Sequence, residues 1–138
     1  MLLTQTAEYA LRAMATLTAL PPAEALQARE IAARSGVPVP YLSKILRRLV
    51  LDGLLLSRKG HGGGFTLAKA PGDIRFAEVL AAADFVPGDD HCAFGWGSCD
   101  GQNPCPLHPA WSRAKSDFVR WAEETTLADV GVGNFPGR

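Results

Sequence analysis

The 138-residue sequence predicts a mainly α fold with a small β-hairpin wing: a winged helix-turn-helix with a long C-terminal dimerisation helix. Three observations carry this expectation. Apolar residues recur with helical period over most of the chain. That period breaks once, where two short apolar segments flank a basic, glycine-rich tip. A late segment then carries aromatic residues at heptad-type spacing. Residues 1–72 are expected to form the winged helix-turn-helix, and 73–138 a linker helix, a cysteine-rich loop and the dimerisation helix.

Each element follows from local chemistry. Residues 4–20 are rich in good helix formers, and Pro21-Pro22 stops them. Residues 26–34 predict a short second helix with Ile31 and Ala32 apolar; Gly36 suits a left-handed residue just past its end. Residues 40–52 predict a third helix, with Pro40 in its first turn and Gly53 at its end. Leu42, Ile45, Leu46 and Leu49 fall at i, i+3, i+4 and i+7, a stripe to be buried. Residues 54–57 and 65–67 predict two strands of a hairpin. Residues 73–84 predict a fourth helix ended by Pro87-Gly88. Residues 109–125 predict the long final helix, 126–130 one more turn, and 131–138 a loose tail.

The composition, 47% hydrophobic and 20% charged, is that of an ordinary globular chain. No apolar run is long enough to span a membrane. Residues 1–20 carry Glu8 and Arg12 without a basic leading region, so they do not read as a signal peptide. A cytoplasmic location is expected, where reducing conditions disfavour a structural disulfide. The net charge of zero conceals a division. Residues 1–70 hold nine Lys/Arg against four Asp/Glu, and residues 71–138 five against ten. The basic first half points to an anionic partner, of which nucleic acid is the commonest large one.

Helix, short turn, helix and basic hairpin form a layout that can read DNA. The second helix of such a pair enters the major groove N-terminus first. Its early residues here are Val39, Pro40, Tyr41, Ser43 and Lys44, placed to meet base edges. Arg47 and Arg48 lie further along, suited to phosphates. Arg58 and Lys59 bring charge to the hairpin, with His61 at its tip, and glycines at 60, 62, 63 and 64 allow close backbone approach. A winged helix that contacts protein instead is the rival expectation.

Trp111, Ala114, Phe118 and Trp121 are spaced three, four and three apart. That spacing makes a seam of heptad type. Packing inside one chain would explain it; a symmetric pair of helices would bury it more fully and place two reading heads on a palindromic site. A homodimer is expected.

All three cysteines fall in one glycine- and proline-rich stretch, as C-x6-C-x5-C followed by C-x2-H. They are Cys92, Cys99 and Cys105, with His108 after them. An odd count does not close a disulfide set. Paired short C-x2–4-C knuckles, typical of zinc, are absent. The wide spacing suits wrapping around an iron–sulfur cluster, with three thiolates and one other ligand. His108 could equally cap the last helix.

These segments together resemble the Rrf2 family of bacterial transcription regulators. The likeness is carried by "EYALRAM" (8–14), "EIAARSGVPVPYLSKILRRL" (30–49), "GLLLSRKGHGGGFTLAK" (53–69), the three cysteines and "TTLADV" (125–130). The resemblance implies a winged-helix homodimer joined by its long C-terminal helix, with a cluster whose state tunes DNA affinity. By position, Cys92, Cys99 and Cys105 match the family's cluster cysteines. His108 matches the fourth ligand of the members that regulate iron–sulfur assembly, and Glu8 the acidic ligand that the nitric-oxide sensors supply from the partner subunit. Pro40, Tyr41, Ser43 and Lys59 match DNA-contacting positions. The first cysteine gap, six residues, is one longer than in the best-known members.

The expected function is sequence-specific transcription regulation on double-stranded DNA, controlled by a two-iron or four-iron cluster that senses redox, nitric oxide or iron status. A metal-free regulator responding through thiols or a small molecule is the alternative, and an electron-carrying or cluster-delivering protein a third. An enzyme is not expected. The glycines at 60–64 lack the Gly-Lys-Ser/Thr ending of a phosphate-binding loop, and no nucleophile–base–acid set stands out.

Overall fold

A computed structural model describes residues 2–86, 92–94, 96 and 101–131. The elements are α1 (Gln5–Thr18), α2 (Ala28–Ser35), α3 (Val39–Leu51), β1 (Leu55–Arg58), β2 (Gly64–Leu67), α4 (Phe76–Ala82), α5 (His108–Glu124) and α6 (Leu127–Val130).

Thr4 caps α1, its hydroxyl accepting from the Ala7 N–H at 3.2 Å. The buried face of α1 is Ala7, Ala10, Ala13, Met14 and Leu17. It packs against α2, α3 and α4, and its alanines let those helices approach closely. The second helix starts later than its sequence predicts. Leu26 is not helical but bridges to Phe65, with N–H···O bonds of 3.1 and 2.7 Å. Helix α2 begins after Gln27, whose N–H donates to the Glu30 carboxylate. It ends at Gly36, left-handed at φ +73° as expected.

Helix α3 buries the predicted stripe of Leu42, Ile45, Leu46 and Leu49. Gly53 turns the chain into the hairpin, whose strands pair antiparallel from Leu55↔Leu67 to Arg58↔Gly64. The Leu26 bridge extends this hairpin on the β2 side and ties it to the base of α2.

The fourth helix is also shorter than predicted. Pro71–Asp73 forms a 3-10 turn, and Ile74 is buried in extended backbone. Phe76 N–H donates to Thr125 O and Leu127 N–H to Ile74 O, so residues 74–76 pair with the chain that joins α5 to α6. Tertiary pairing therefore displaces the helix start to Phe76. It also ends earlier than predicted, at Ala82, where the left-handed Asp84 turns the chain; Pro87-Gly88, and the tail beyond Gly131, lie outside the described residues.

One apolar cluster joins α1, α2, α3 and the hairpin to Ile74, Val79 and Leu127. A second, formed by Ala7, Leu80 and Ala122, gathers Phe85 and Phe118 and seats α5 against α1 and α4.

Candidate nucleic-acid interface and cysteine region

The amphipathicity of α3 decides what it presents. With four leucine and isoleucine side chains turned into the core, Val39, Pro40, Tyr41, Ser43, Lys44, Arg47 and Arg48 are all exposed. Tyr41, 57% exposed, leans on Tyr9 of α1 with ring centroids 6.0 Å apart. The Arg12 guanidinium lies over the Tyr9 ring at 5.7 Å. The Ser43 hydroxyl donates to Val39 O at 3.2 Å, leaving its lone pairs outward.

Arg58, Lys59 and His61 are exposed at the hairpin tip. The tip closes through Gly63 N–H to Gly60 O at 3.0 Å, with Gly60 and Gly62 at positive φ. The fold thus brings the predicted α3 residues onto one face and holds the basic wing beside them through the α3–β1 junction.

Among the described residues neither Lys44 nor Arg47 is in an ion pair. Arg48 is. Its Nη1 and Nη2 donate to the two carboxylate oxygens of Asp84, at 3.2 and 3.0 Å. Hydrogen bonding and charge from Arg48 hold the Asp84 carboxyl below the usual range, and Asp84 raises the guanidinium in return. The sequence alone does not single out Asp84. Its only signal there is an aspartate at the end of a predicted helix, where such a residue often stands free.

In the cysteine region, Cys92 is half-buried and its Sγ accepts the Phe94 N–H at 3.4 Å. Cys105 is exposed and outside any disulfide. His108 opens α5, one turn from Cys105, whose carbonyl accepts the His108 N–H at 3.0 Å. Cys99 lies outside the described residues, so the three thiols are not placed together. Among the described residues no three His, Cys, Asp or Glu side chains cluster as a metal site. Glu8 is half-buried on α1.

The seam on α5 is partly used within the chain. Phe118 packs edge-on against Phe85 at 5.8 Å, and Trp121 against Phe76 at 5.4 Å. Ala114 is exposed and Trp121 remains 40% exposed. Among the described residues, no helix is long and apolar enough to cross a membrane.

Known proteins share this architecture. The family model described as Rrf2, an iron-dependent transcriptional regulator, matches residues 3–132. The HTH-type transcriptional regulators IscR of Citrobacter koseri and of Salmonella paratyphi B are each 31% identical over 130 residues, covering 94% of this chain and 79% of theirs. Among solved structures, CymR, the global cysteine regulator of B. subtilis, matches with a TM-score of 0.78 at 19% identity, over 94% of this chain and 95% of that one. T. potens IscR matches at 0.73 and 22% identity, over 94% and 85%. At these identities the two structures speak to the fold, a winged helix.

Proposed function

The chain belongs to the Rrf2 family of transcriptional regulators, and from that premise we propose that it reads a palindromic operator as a cytoplasmic homodimer whose DNA affinity is set by an iron–sulfur cluster. Its relatives are regulators and not enzymes. The observation that supports the DNA reading is the α3 face. A buried Leu/Ile stripe fixes the helix, and the contact residues predicted on α3 all lie on its exposed side. In the groove, Val39, Pro40, Tyr41, Ser43 and Lys44 would meet bases; Arg47, Arg48, Arg58, Lys59 and His61 would meet phosphate and sugar. Ala114 and Trp121, with Trp111 and Phe118 beside them, would form the seam between protomers. Residues 1–72 then act as the reading head and 73–138 as the sensing and dimerising part.

The donor chemistry fits a cluster. Cys92, Cys99 and Cys105 would supply thiolates, and His108 or Glu8 of the partner subunit the fourth ligand. The Phe94 N–H on Cys92 Sγ is the kind of hydrogen bond that tunes cluster thiolates. When bound, such a group supplies a charge and geometry that change with oxidation, nitric oxide or iron supply. What the chain itself must do is hold α5 differently in the two states, because DNA shifts the balance only if it binds them unequally. A coupling of about 1–3 kcal/mol would change affinity about 5- to 150-fold.

One observation favours a second reading. Cys105 is exposed and reachable, as a directly responding thiol would be. Selection of binding sites from random duplexes tests the DNA reading, and a failure to enrich any palindrome overturns it. Anaerobic purification from iron-replete cells, with iron and sulfide analysis and absorption spectra, separates the two sensing readings. Colourless, iron-free protein overturns the cluster and leaves the thiol.

A further inference from the structure

Asp84 stands where a glycine is usually found. The end of α4 is a Schellman turn: Asp84 N–H donates to Ala81 O at 3.0 Å, and Phe85 N–H reaches back to Leu80 O at 2.9 Å. The residue between must be left-handed, and Asp84 is, at φ +58°. Glycine takes this conformation without strain; among other residues aspartate and asparagine tolerate it best. Aspartate here adds a carboxylate, and that carboxylate engages both terminal nitrogens of Arg48, 36 residues away.

Those two nitrogens are the donors a bidentate phosphate contact would use. Arg48 lies beside Arg47 and near Lys44 on the face that the functional reading turns to DNA. The pair is open to solvent, with side chains 46% and 77% exposed. Ion pairs so exposed are weak, and an incoming phosphate can displace one.

The position of Asp84 is not independent of the rest of the chain. Phe85 closes the turn and packs on Phe118 of α5 at 5.8 Å, within the second apolar cluster. Phe118 and Phe85 thus link α5 by direct packing to the residue that holds Arg48.

We propose that Asp84 is an internal competitor of DNA phosphate for Arg48, with its hold set by the packing of Phe85 on α5. This rests on the DNA-binding reading above. It makes the Arg48–Asp84 pair a route by which the C-terminal half restrains the reading helix.

The test uses the full chain and a fluorescent mixed-sequence DNA duplex, titrated at low salt by anisotropy. Asp84→Asn and Asp84→Gly should both bind about two- to fivefold tighter than wild type. Glycine suits the left-handed backbone, so Asp84→Gly keeps the turn if asparagine disturbs it. The gain should vanish in an Arg48→Ala background. Phe85→Leu, which loosens the same contact from the Asp84 side, should tighten binding when Asp84 is present and have no effect beside Asp84→Gly. Unchanged or weaker binding by both Asp84 variants overturns the proposal, because the carboxylate would then be inert or a positioning group. An equal gain without Arg48 also overturns it, as general charge repulsion. If wild type binds no duplex, the DNA reading falls and this inference with it; if it binds and the Asp84 variants do not differ, only this inference falls.

Discussion

The ring of Tyr9 on α1 lies 6.0 Å from that of Tyr41 at the start of α3, tilted by 52°. Tyr41 is one of the exposed side chains assigned to base contacts, and Tyr9 is what it rests against. Removing the Tyr9 ring leaves Tyr41 more rotamers to lose on binding. Tyr9→Ala should therefore weaken binding to a selected operator by up to about tenfold, the worth of one aromatic pair. Binding to mixed-sequence DNA should change less, since phosphate contacts dominate there. Tyr9→Phe keeps the ring and should behave as wild type. Equal losses on both DNAs would assign Tyr9 to general fold stability.

Gly64 is where the wing meets the body. Its φ is +134°, and a Cβ there would sit 2.4 Å from Leu26 O. That carbonyl accepts from Phe65 N–H, so it cannot move without breaking the bridge. Gly64→Ala should destabilise the fold by more than about 2 kcal/mol, from backbone strain and steric overlap together. Gly62 also has positive φ, at +74°, but a Cβ there meets nothing within 4 Å. Gly62→Ala should cost only about 1 kcal/mol. Urea denaturation of the two variants checks the difference, and equal losses would contradict the anchoring of the wing at Leu26.

Glu78 gives a stability that depends on pH. Partial burial pushes its carboxyl up, but bonds from the Arg75 N–H and Lys69 ammonium, with the charge of Arg75, outweigh it and leave the group below its ordinary value. The carboxylate caps α4 through Arg75 N–H at 2.9 Å and pairs with Lys69 at 3.0 Å. A lowered folded value means that the contribution is full above the unfolded value and fades as pH falls through the folded one. Glu78→Ala should lose about 1 kcal/mol at pH 7. The gap from wild type should begin to narrow as pH falls into the ordinary glutamate range and close only once the folded carboxyl itself is protonated, at lower pH still. A gap that is constant from neutral to acid pH would show that the charge contributes nothing.

These relationships differ in how far the sequence shows them. The α3 stripe is local: Leu42, Ile45, Leu46 and Leu49 repeat with the helix period, so both the helix and its exposed face follow from spacing. Gly36 likewise marks a left-handed turn because few other residues accept one. Leu26 and Ile74 read as helical in the sequence because their neighbours are helix formers. Their backbones instead pair with Phe65 and Leu127, a preference that no local window contains. The same limit hid Asp84. Of the reading face, the residues were legible, but not the carboxylate that occupies one of them. The cysteine ligands were legible by type and spacing, and with Cys99 outside the described residues their arrangement rests on the proposal.

The seam on α5 makes two separable predictions. Phe118 contacts Phe85 and Trp121 inside the chain, and belongs with buried Leu80 and Ala122. Ala114, one turn earlier on the same row, is exposed. If the row served only the interior of one chain, a charge at 114 would be solvated and harmless. If it also joins two protomers, the charge would be desolvated against its symmetry mate, which repels. Ala114→Glu should therefore dissociate the dimer in sedimentation velocity while leaving the helical circular dichroism unchanged. It should also weaken operator binding steeply, since two half-sites would no longer be engaged together. Phe118→Ala should instead lower the unfolding free energy by about 2–3 kcal/mol, the cost of truncating a partly buried phenylalanine. A dimer that survives Ala114→Glu would place the protomer contact elsewhere than on this row.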